Sequence, residues 1–157
     1  MERGNPRELK RCDPNFAKVV TEMVRIERKS FPKHESMAGS MVDQELKKRN
    51  VQVLYSEENG EVAGYAVLCW EGSMCGSITK LAVKESLRKR GHGEALMKAG
   101  LERCRERKVQ RVSLHVDTSR TPAINLYNKL GFQIDSLVHQ YYSPQRDAYR
   151  MFFDFHP

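Results

Sequence analysis

The stretch LAVKESLRKRGHGEAL, residues 81–96, narrows the folds open to this chain more than any other. An apolar, strand-like run ends at Val83. Three consecutive cations follow, Arg88, Lys89 and Arg90, then Gly91 and Gly93 on either side of His92, and then a helical apolar pattern. A strand that turns through glycine into a helix leaves the first helical amides without partners, with the positive end of the helix dipole behind them. That arrangement suits an anion, phosphate above all. A solvated turn with a basic flank is the competing account of two glycines alone. Two other phosphate loops are excluded: the third glycine of GxGxxG would fall at Leu96, and no Gly-Lys-Ser or Gly-Lys-Thr follows.

The rest of the chain arranges itself around this turn. ELKRC near the start has the pattern of a short strand, and Asp13-Pro14 predicts a helix start, with Asp capping free amides and Pro in the first turn. Val19, Val20, Met23, Val24 and Ile26 give that helix an apolar side, and Phe31-Pro32 ends it. Residues 33–50 have the pattern of a loop and a second short helix. VQVLYSE and EVAGYAVLCW, joined at Asn59-Gly60, predict a hairpin, because Asn-Gly supplies the positive φ angles of a tight turn. GSITKLAV is the next strand. The helix after the glycine turn is expected from about Gly93 to Lys108, with Gly93, Met97, Gly100 or Leu101, and Cys104 on one face.

RVSLHVD alternates with period two: Val112, Leu114 and Val116 point one way, and Ser113, His115 and Asp117 the other. Thr121-Pro122 opens a short helix carrying Ala123, Leu126, Tyr127 and Leu130, which Gly131 closes. FQIDSLV and AYRMFFDF are two last strands, with YYSPQRD as the loop between them. The order β-α-α-β-β-β-α-β-α-β-β predicts a single α/β domain over residues 1–157 with a mixed sheet.

Composition removes several function classes. With 157 residues the chain can bury a core without disulfide or metal staples, and no run approaches the ~18 apolar residues of a membrane span. The start, MERGNPRELKR, lacks the apolar centre of a signal peptide, which makes the cytosol the expected location, with the nucleus open as a second. Cys12, Cys69, Cys75 and Cys104 form no CxxC pair and no metal-ligand spacing, so reduced, mostly buried thiols and no metal are expected. The net charge of +7 is mixed with acids, as in LERCRERKVQR, and fits a solvated helix face and a small anionic ligand better than nucleic acid.

The motif Arg88-x-x-Gly91-x-Gly93 after KLAV resembles the acetyl-CoA loop, (Q/R)xxGx(G/A), of the GCN5-related N-acetyltransferase (GNAT) superfamily. AINLYNKLGF, residues 123–132, resembles the later AxxLYxxxGF segment of that superfamily. YYSPQRDAYRM, residues 141–151, and SFPKHE, residues 30–35, are similar to the closing hairpin and substrate-side loop of its RimI-like and Naa-type branch, the protein N-terminal acetyltransferases. The resemblance implies a mixed sheet of about seven strands, splayed after the fourth, with about four helices and acetyl-CoA in the cleft. It implies that Leu81, Ala82 and Val83 lie along the pantetheine arm, and that Arg88, Lys89, Arg90, Gly91, His92, Gly93 and Glu94 hold the pyrophosphate. Ala123 follows in the next cofactor-side segment. There Arg120 stands where the family often has asparagine, which removes the usual contact or sets a cation near the cofactor phosphates. Tyr127 matches the tyrosine beside the thioester sulfur. Phe31, Pro32, Glu35, Tyr141 and Tyr142 fall in the substrate-side segments.

Direct acetyl transfer requires a neutral amine, donors for the oxyanion and a proton for the departing thiolate. An α-amine with pKa near ~8 costs about 1.4 kcal/mol to deprotonate at pH 7, and a lysine near ~10.4 costs about 4.6 kcal/mol. His115 is the candidate base, since imidazole accepts a proton near neutrality. Some relatives add a tyrosine base on the fourth strand, where this chain has Ser77. The expected activity is acetyl transfer from acetyl-CoA to the α-amine of protein or peptide N-termini, extending to lysine. A small-amine acetyltransferase, for an arylalkylamine such as serotonin or for a polyamine, is the alternative. A non-catalytic acetyl-CoA-binding subunit is the third.

Overall fold

A computed structural model describes residues 4–31 and 39–155. The order of elements is β1 (Arg7–Glu8), α1 (Phe16–Ser30), α2 (Gly39–Leu46), β2 (Val51–Glu58), β3 (Glu61–Trp70), β4 (Cys75–Val83), α3 (His92–Glu106), β5 (Arg111–Asp117), α4 (Thr121–Leu130), β6 (Gln133–Ser143) and β7 (Arg146–Asp154). Seven strands form one mixed sheet in the order β1-β2-β3-β4-β5-β7-β6, the architecture expected from the sequence. Every neighbouring pair is antiparallel except β4 and β5.

Two apolar clusters cover the two faces of the sheet. Leu54, Leu68, Ile78, Leu114, Val116 and Met151 pack beneath α3 and α4 with Leu96, Met97, Cys104 and Tyr127. Val53, Tyr55, Tyr65, Val67 and Ala82 pack beneath α1 and α2 with Val19, Met23, Ile26 and Val42. The β2–β3 turn is at Asn59-Gly60, with φ of 53° and 78°, as the Asn-Gly pair predicts. Among the described residues no helix is long and apolar enough to cross a membrane.

Several local expectations are corrected. The first strand is Arg7–Glu8 rather than ELKRC, although Leu9 is buried beside it and donates its amide to the Val53 carbonyl at 2.8 Å. Asp13 does not cap α1; its carboxylate accepts the Lys10 amide at 2.9 Å, closing the preceding turn, and the helix begins at Phe16. The helix after the glycine turn starts one residue early, at His92, and turns Leu96 as well as Met97, Gly100 and Cys104 into the core. YYSPQRD is not a loop: β6 runs to Ser143 and β7 starts at Arg146, so Tyr141 and Tyr142 are strand residues. The thiols are not mostly buried either. Cys104 is, but Cys12 and Cys75 are exposed and Cys69 is half-buried.

Candidate active site

The parallel seam between β4 and β5 is short. Cys75, Gly76 and Ser77 pair with Arg111, Val112 and Ser113, and the pairing then stops. From there Ile78–Val83 and the end of β5 form the two sides of a wedge. Among the described residues, neither side has a strand partner across the gap, and such an edge accepts an extended amide-bearing ligand as it would a strand. A bulge shapes the β4 side. Val67 faces Lys80 while Leu68 faces Ile78, leaving Thr79 as the extra residue, its hydroxyl donating to the Val67 carbonyl at 3.3 Å. After the bulge Lys80 and Ala82 face α1 and Leu81 faces α3. Leu81, Ala82 and Val83 thus lie on the open edge, where the motif anticipates the pantetheine arm.

At the end of β4 the chain makes one short 3-10 turn, Glu85–Leu87, and enters the glycine loop. Lys89 and Gly91 both have positive φ, 64° and 87°. Gly91 is the N-cap of α3, and its left-handed conformation is the reason glycine is needed there. The first helical bond runs from the Ala95 amide to the Gly91 carbonyl, at 3.0 Å. The amides of His92, Gly93 and Glu94 therefore begin the helix with no helical carbonyl to meet. A Cβ on Gly93 would lie 3.5 Å from Leu126 Cδ2, an ordinary contact, so the packing of α3 on α4 does not itself require glycine there.

The three cations of the loop separate. Arg88 and Lys89 are exposed, and Arg88 Nε donates to the Val83 carbonyl at 3.2 Å. Arg90 Nη1 reaches Glu58 Oε2 at 2.9 Å. Glu94 pairs with Lys129 at 2.9 Å, tying α3 to α4. The His92 side chain does not face the loop surface: it is 1% exposed, with Nδ1 hydrogen bonded to Ser56 Oγ at 3.3 Å. What His92 offers a ligand is its amide.

Tyr127 and His115 occupy opposite faces of the sheet. Tyr127 is buried with Leu114 and Val116 in the cluster under α3 and α4, its ring 6.0 Å from that of Phe132. Burial pushes its phenol up to about 12, against the opposing charge of Arg120. It stays protonated at neutral pH. His115 projects toward the α1 side of β5, exposed at its outer edge. Its ring stacks on Tyr141, centroids 4.3 Å apart and planes 6° from parallel. Burial lowers its pKa below the ordinary imidazole value, the Arg150 cation lowers it further, and Glu71 opposes both. At neutral pH His115 is a free base.

Tyr141 meets Tyr142 edge-on at 4.8 Å, and the Arg146 guanidinium lies 4.8 Å from the Tyr142 ring. Two features hold this wall. Gln140 has a positive φ of 55°, bends β6 and donates its amide to Asp147 Oδ1 at 2.8 Å; Arg146 Nε reaches Asp117 Oδ2 at 2.9 Å. Ser77, in place of a second-base tyrosine, is buried at the seam with its hydroxyl 3.4 Å from the Cys69 carbonyl and 3.3 Å from Glu71 Oε1.

Arg120 does not reach toward the glycine loop. Its Nη2 donates to the Ser30 carbonyl at 2.7 Å, and its guanidinium lies 5.3 Å from the Phe31 ring. Lys80 Nζ is 4.5 Å from the same ring. Phe31 is thus held beside the wedge by a residue from each of its sides. Ala123 is half-buried in the first turn of α4. Pro32 and Glu35 lie outside the described residues.

Sequence reasoning missed two buried polar groups. Glu27, 1% exposed, accepts the Tyr65 hydroxyl and pairs with Lys80 Nζ at 2.7 Å. Its signal was a carboxylate at core spacing, four residues after Met23. The other group joins Glu58, Arg90 and His92 behind the loop.

A sheet split at one parallel seam, with a glycine-turned helix start at the open end, defines an acyltransferase of the coenzyme A-dependent kind. Residues 20–132 match the Acetyltransferase (GNAT) family, and the chain belongs to that family. It is an N-acetyltransferase with acetyl-CoA as donor. An N-alpha-acetyltransferase of Sulfurisphaera tokodaii is 32% identical over 144 residues, 84% of this chain and 85% of that one. The N-terminal acetyltransferase A complex catalytic subunit NAA10 of Arabidopsis thaliana is 40% identical over 109 residues, 64% of this chain and 56% of its own length. The crystal structure of Ard1 from Thermoplasma volcanium superposes with a TM-score of 0.82 at 29% identity, covering 98% of each chain.

Proposed function

We propose that this chain acetylates the α-amine of protein and peptide N-termini by direct transfer within a ternary complex. The observation that carries this is the aromatic wall on the acceptor face, where His115 stacks on Tyr141 and Tyr142 stands edge-on beside them. Flat rings hold an extended backbone, and their hydroxyls bond to it. The names of the Sulfurisphaera tokodaii and Arabidopsis thaliana relatives support the same substrate class.

In this scheme the amides of His92, Gly93 and Glu94, with Arg88 and Lys89, bind the donor pyrophosphate, and the free edge of Leu81–Val83 aligns the pantetheine arm. His115 takes a proton from the substrate ammonium, directly or through water. The amine nitrogen then bonds to the acetyl carbon as the carbon–sulfur bond breaks; the Tyr127 hydroxyl gives its proton to the departing sulfur, and the second proton that the nitrogen sheds on becoming an amide returns through water to the phenolate. Phe31, Tyr141 and Tyr142 line the acceptor side, Ala123 lies beside the donor, and Pro32 and Glu35 are assigned to the substrate by the motif alone. Arg120 serves the acceptor side through Ser30 and Phe31. The site of action is the cytosol, shared with the nucleus, where free N-termini are presented.

The test compares kcat/KM at one pH for peptides with a free α-amine, the same peptides blocked there with an internal lysine, and small amines such as serotonin or spermidine. The α-amine peptides should lead, in line with the difference of about 3.2 kcal/mol in deprotonation cost between the two amine types. Small amines ahead by tenfold would overturn the peptide scheme.

A further inference from the structure

Behind the glycine loop, on the side away from solvent, lies a carboxylate. Glu58 ends β2, is 5% exposed, and grips the loop just before Gly91. Its Oε2 accepts Arg90 Nη1 at 2.9 Å, and its Oε1 is 3.5 Å from His92 Nε2. Ser56, two residues back on the same strand and 1% exposed, holds the other nitrogen of the same imidazole at 3.3 Å. Two consecutive same-face positions of β2 thereby fasten the residues before and after the left-handed glycine.

On electrostatic grounds alone a buried anion is misplaced beneath a site for pyrophosphate, because it offsets one of the three cations and lowers the local potential. Its geometry supplies the reason for its presence. A left-handed glycine leading into a helix start, where the first amides meet no helical carbonyl, is a conformation a free loop would leave, and anion binding by amides requires that they be fixed before the ligand arrives. We propose that Glu58 is the positioning residue of the donor site: it sacrifices positive charge to hold Arg90 and, with Ser56 holding His92, keeps the amides of His92, Gly93 and Glu94 in the pyrophosphate-binding arrangement. Glu58 touches neither donor nor acceptor. The proposal rests on the assignment of the 88–94 loop to the pyrophosphate.

The two effects have opposite signs, which makes Glu58→Gln decisive. The variant keeps the shape of the side chain, removes its charge and so raises the potential at the loop. If Glu58 acts by position, acetyl-CoA affinity measured by calorimetry should fall about tenfold, KM for acetyl-CoA should rise in step and kcat should hold. With S-acetylpantetheine, which has no pyrophosphate, Glu58→Gln should match the wild type. Arg90→Met removes the same clasp from the other end, so it should weaken binding as well, and the double variant should be no worse than the weaker single one. Unchanged or tighter acetyl-CoA binding in folded Glu58→Gln would overturn the proposal, as would equal losses with S-acetylpantetheine or fully additive effects in the double variant. Should Glu58→Gln fail to fold, Glu58→Asp, which keeps the charge and shortens the reach to Arg90, decides the same question against the two donors: a loss with acetyl-CoA alone supports position, and no loss overturns it. A wild-type enzyme that binds acetyl-CoA no better than S-acetylpantetheine would instead refute the loop assignment itself.

Discussion

The His115 imidazole lies flat against the Tyr141 ring, 4.3 Å away and 6° from parallel, so an imidazole on β5 is roofed by a residue of the edge strand β6. Removing the ring should return water to the imidazole. Burial is the largest cause of the lowered His115 pKa, so Tyr141→Leu should raise it toward the ordinary ~6.5 and move the acid limb of kcat/KM to higher pH. Arg150→Gln should act in the same direction. His115→Ala should depress the rate most toward low pH, where the amine is hardest to deprotonate. Rate profiles of the variants against the wild type check all three.

Tyr127→Phe keeps the packing against Phe132 and loses only the hydroxyl. Because the phenol is pushed up to about 12, it is a proton donor throughout the neutral range. The variant should lose about 100-fold in kcat, the lower range for a positioned acid, with little change in acetyl-CoA affinity. Single-turnover rates and calorimetry on one preparation separate the two quantities. No acetyl group should appear on any of the four cysteines by mass spectrometry during turnover.

Gly91→Val forces a branched side chain into φ of 87°, at about 1–2 kcal/mol of stability or more, and should weaken acetyl-CoA binding. Gly93 behaves differently. Its added Cβ would meet Leu126 Cδ2 and Val83 Cγ2 at ordinary contact distances, 3.5 and 3.7 Å, so Gly93→Ala should fold normally. Gly93→Val should weaken the donor without unfolding the protein. Melting curves with and without acetyl-CoA, set beside calorimetry, distinguish the two glycines.

Glu27→Ala should be the most destabilising of these changes. It strips Lys80 and the Tyr65 hydroxyl of a shared, fully buried partner, a loss of about 3–5 kcal/mol. Replacing the pair together, Glu27→Leu with Lys80→Met, should recover most of that loss, because no charge is then left buried. Denaturant midpoints at one pH provide the comparison.

Most of the fold was legible because its signals are local. Alternation identified β5 with its ends unchanged, Asn59-Gly60 located the hairpin turn, and Thr121 and Gly131 bracketed α4. The glycine motif located the turn into α3, but the inward turn of His92 could not be read from it, because that depends on Ser56 and Glu58, 36 and 34 positions earlier. The polar run with Pro144 hid the strand character of Tyr141 and Tyr142. An edge strand has one neighbour and an exposed face, so β6 tolerates polar residues and a positive φ at Gln140 that an inner strand would not. Asp13 resembled a cap because it precedes a proline, yet the helix begins beyond its reach, at Phe16. Arg120 was assigned to the cofactor from its place in a motif. Its side chain instead follows Ser30, 90 positions away, a contact that tertiary structure alone supplies.

The three-pair seam between β4 and β5 makes ligand occupancy a component of folding free energy. Down one edge of β4 the sheet lacks a strand that the described chain does not supply, and on the proposed scheme the pantetheine amides take its place. Donor concentration should then shift the thermal midpoint, by the equivalent of about 2.7 kcal/mol at a hundred times Kd. Deuterium uptake should slow most at Ile78–Val83 on donor addition, while the β2–β3 ladder, already paired on its own, should change little.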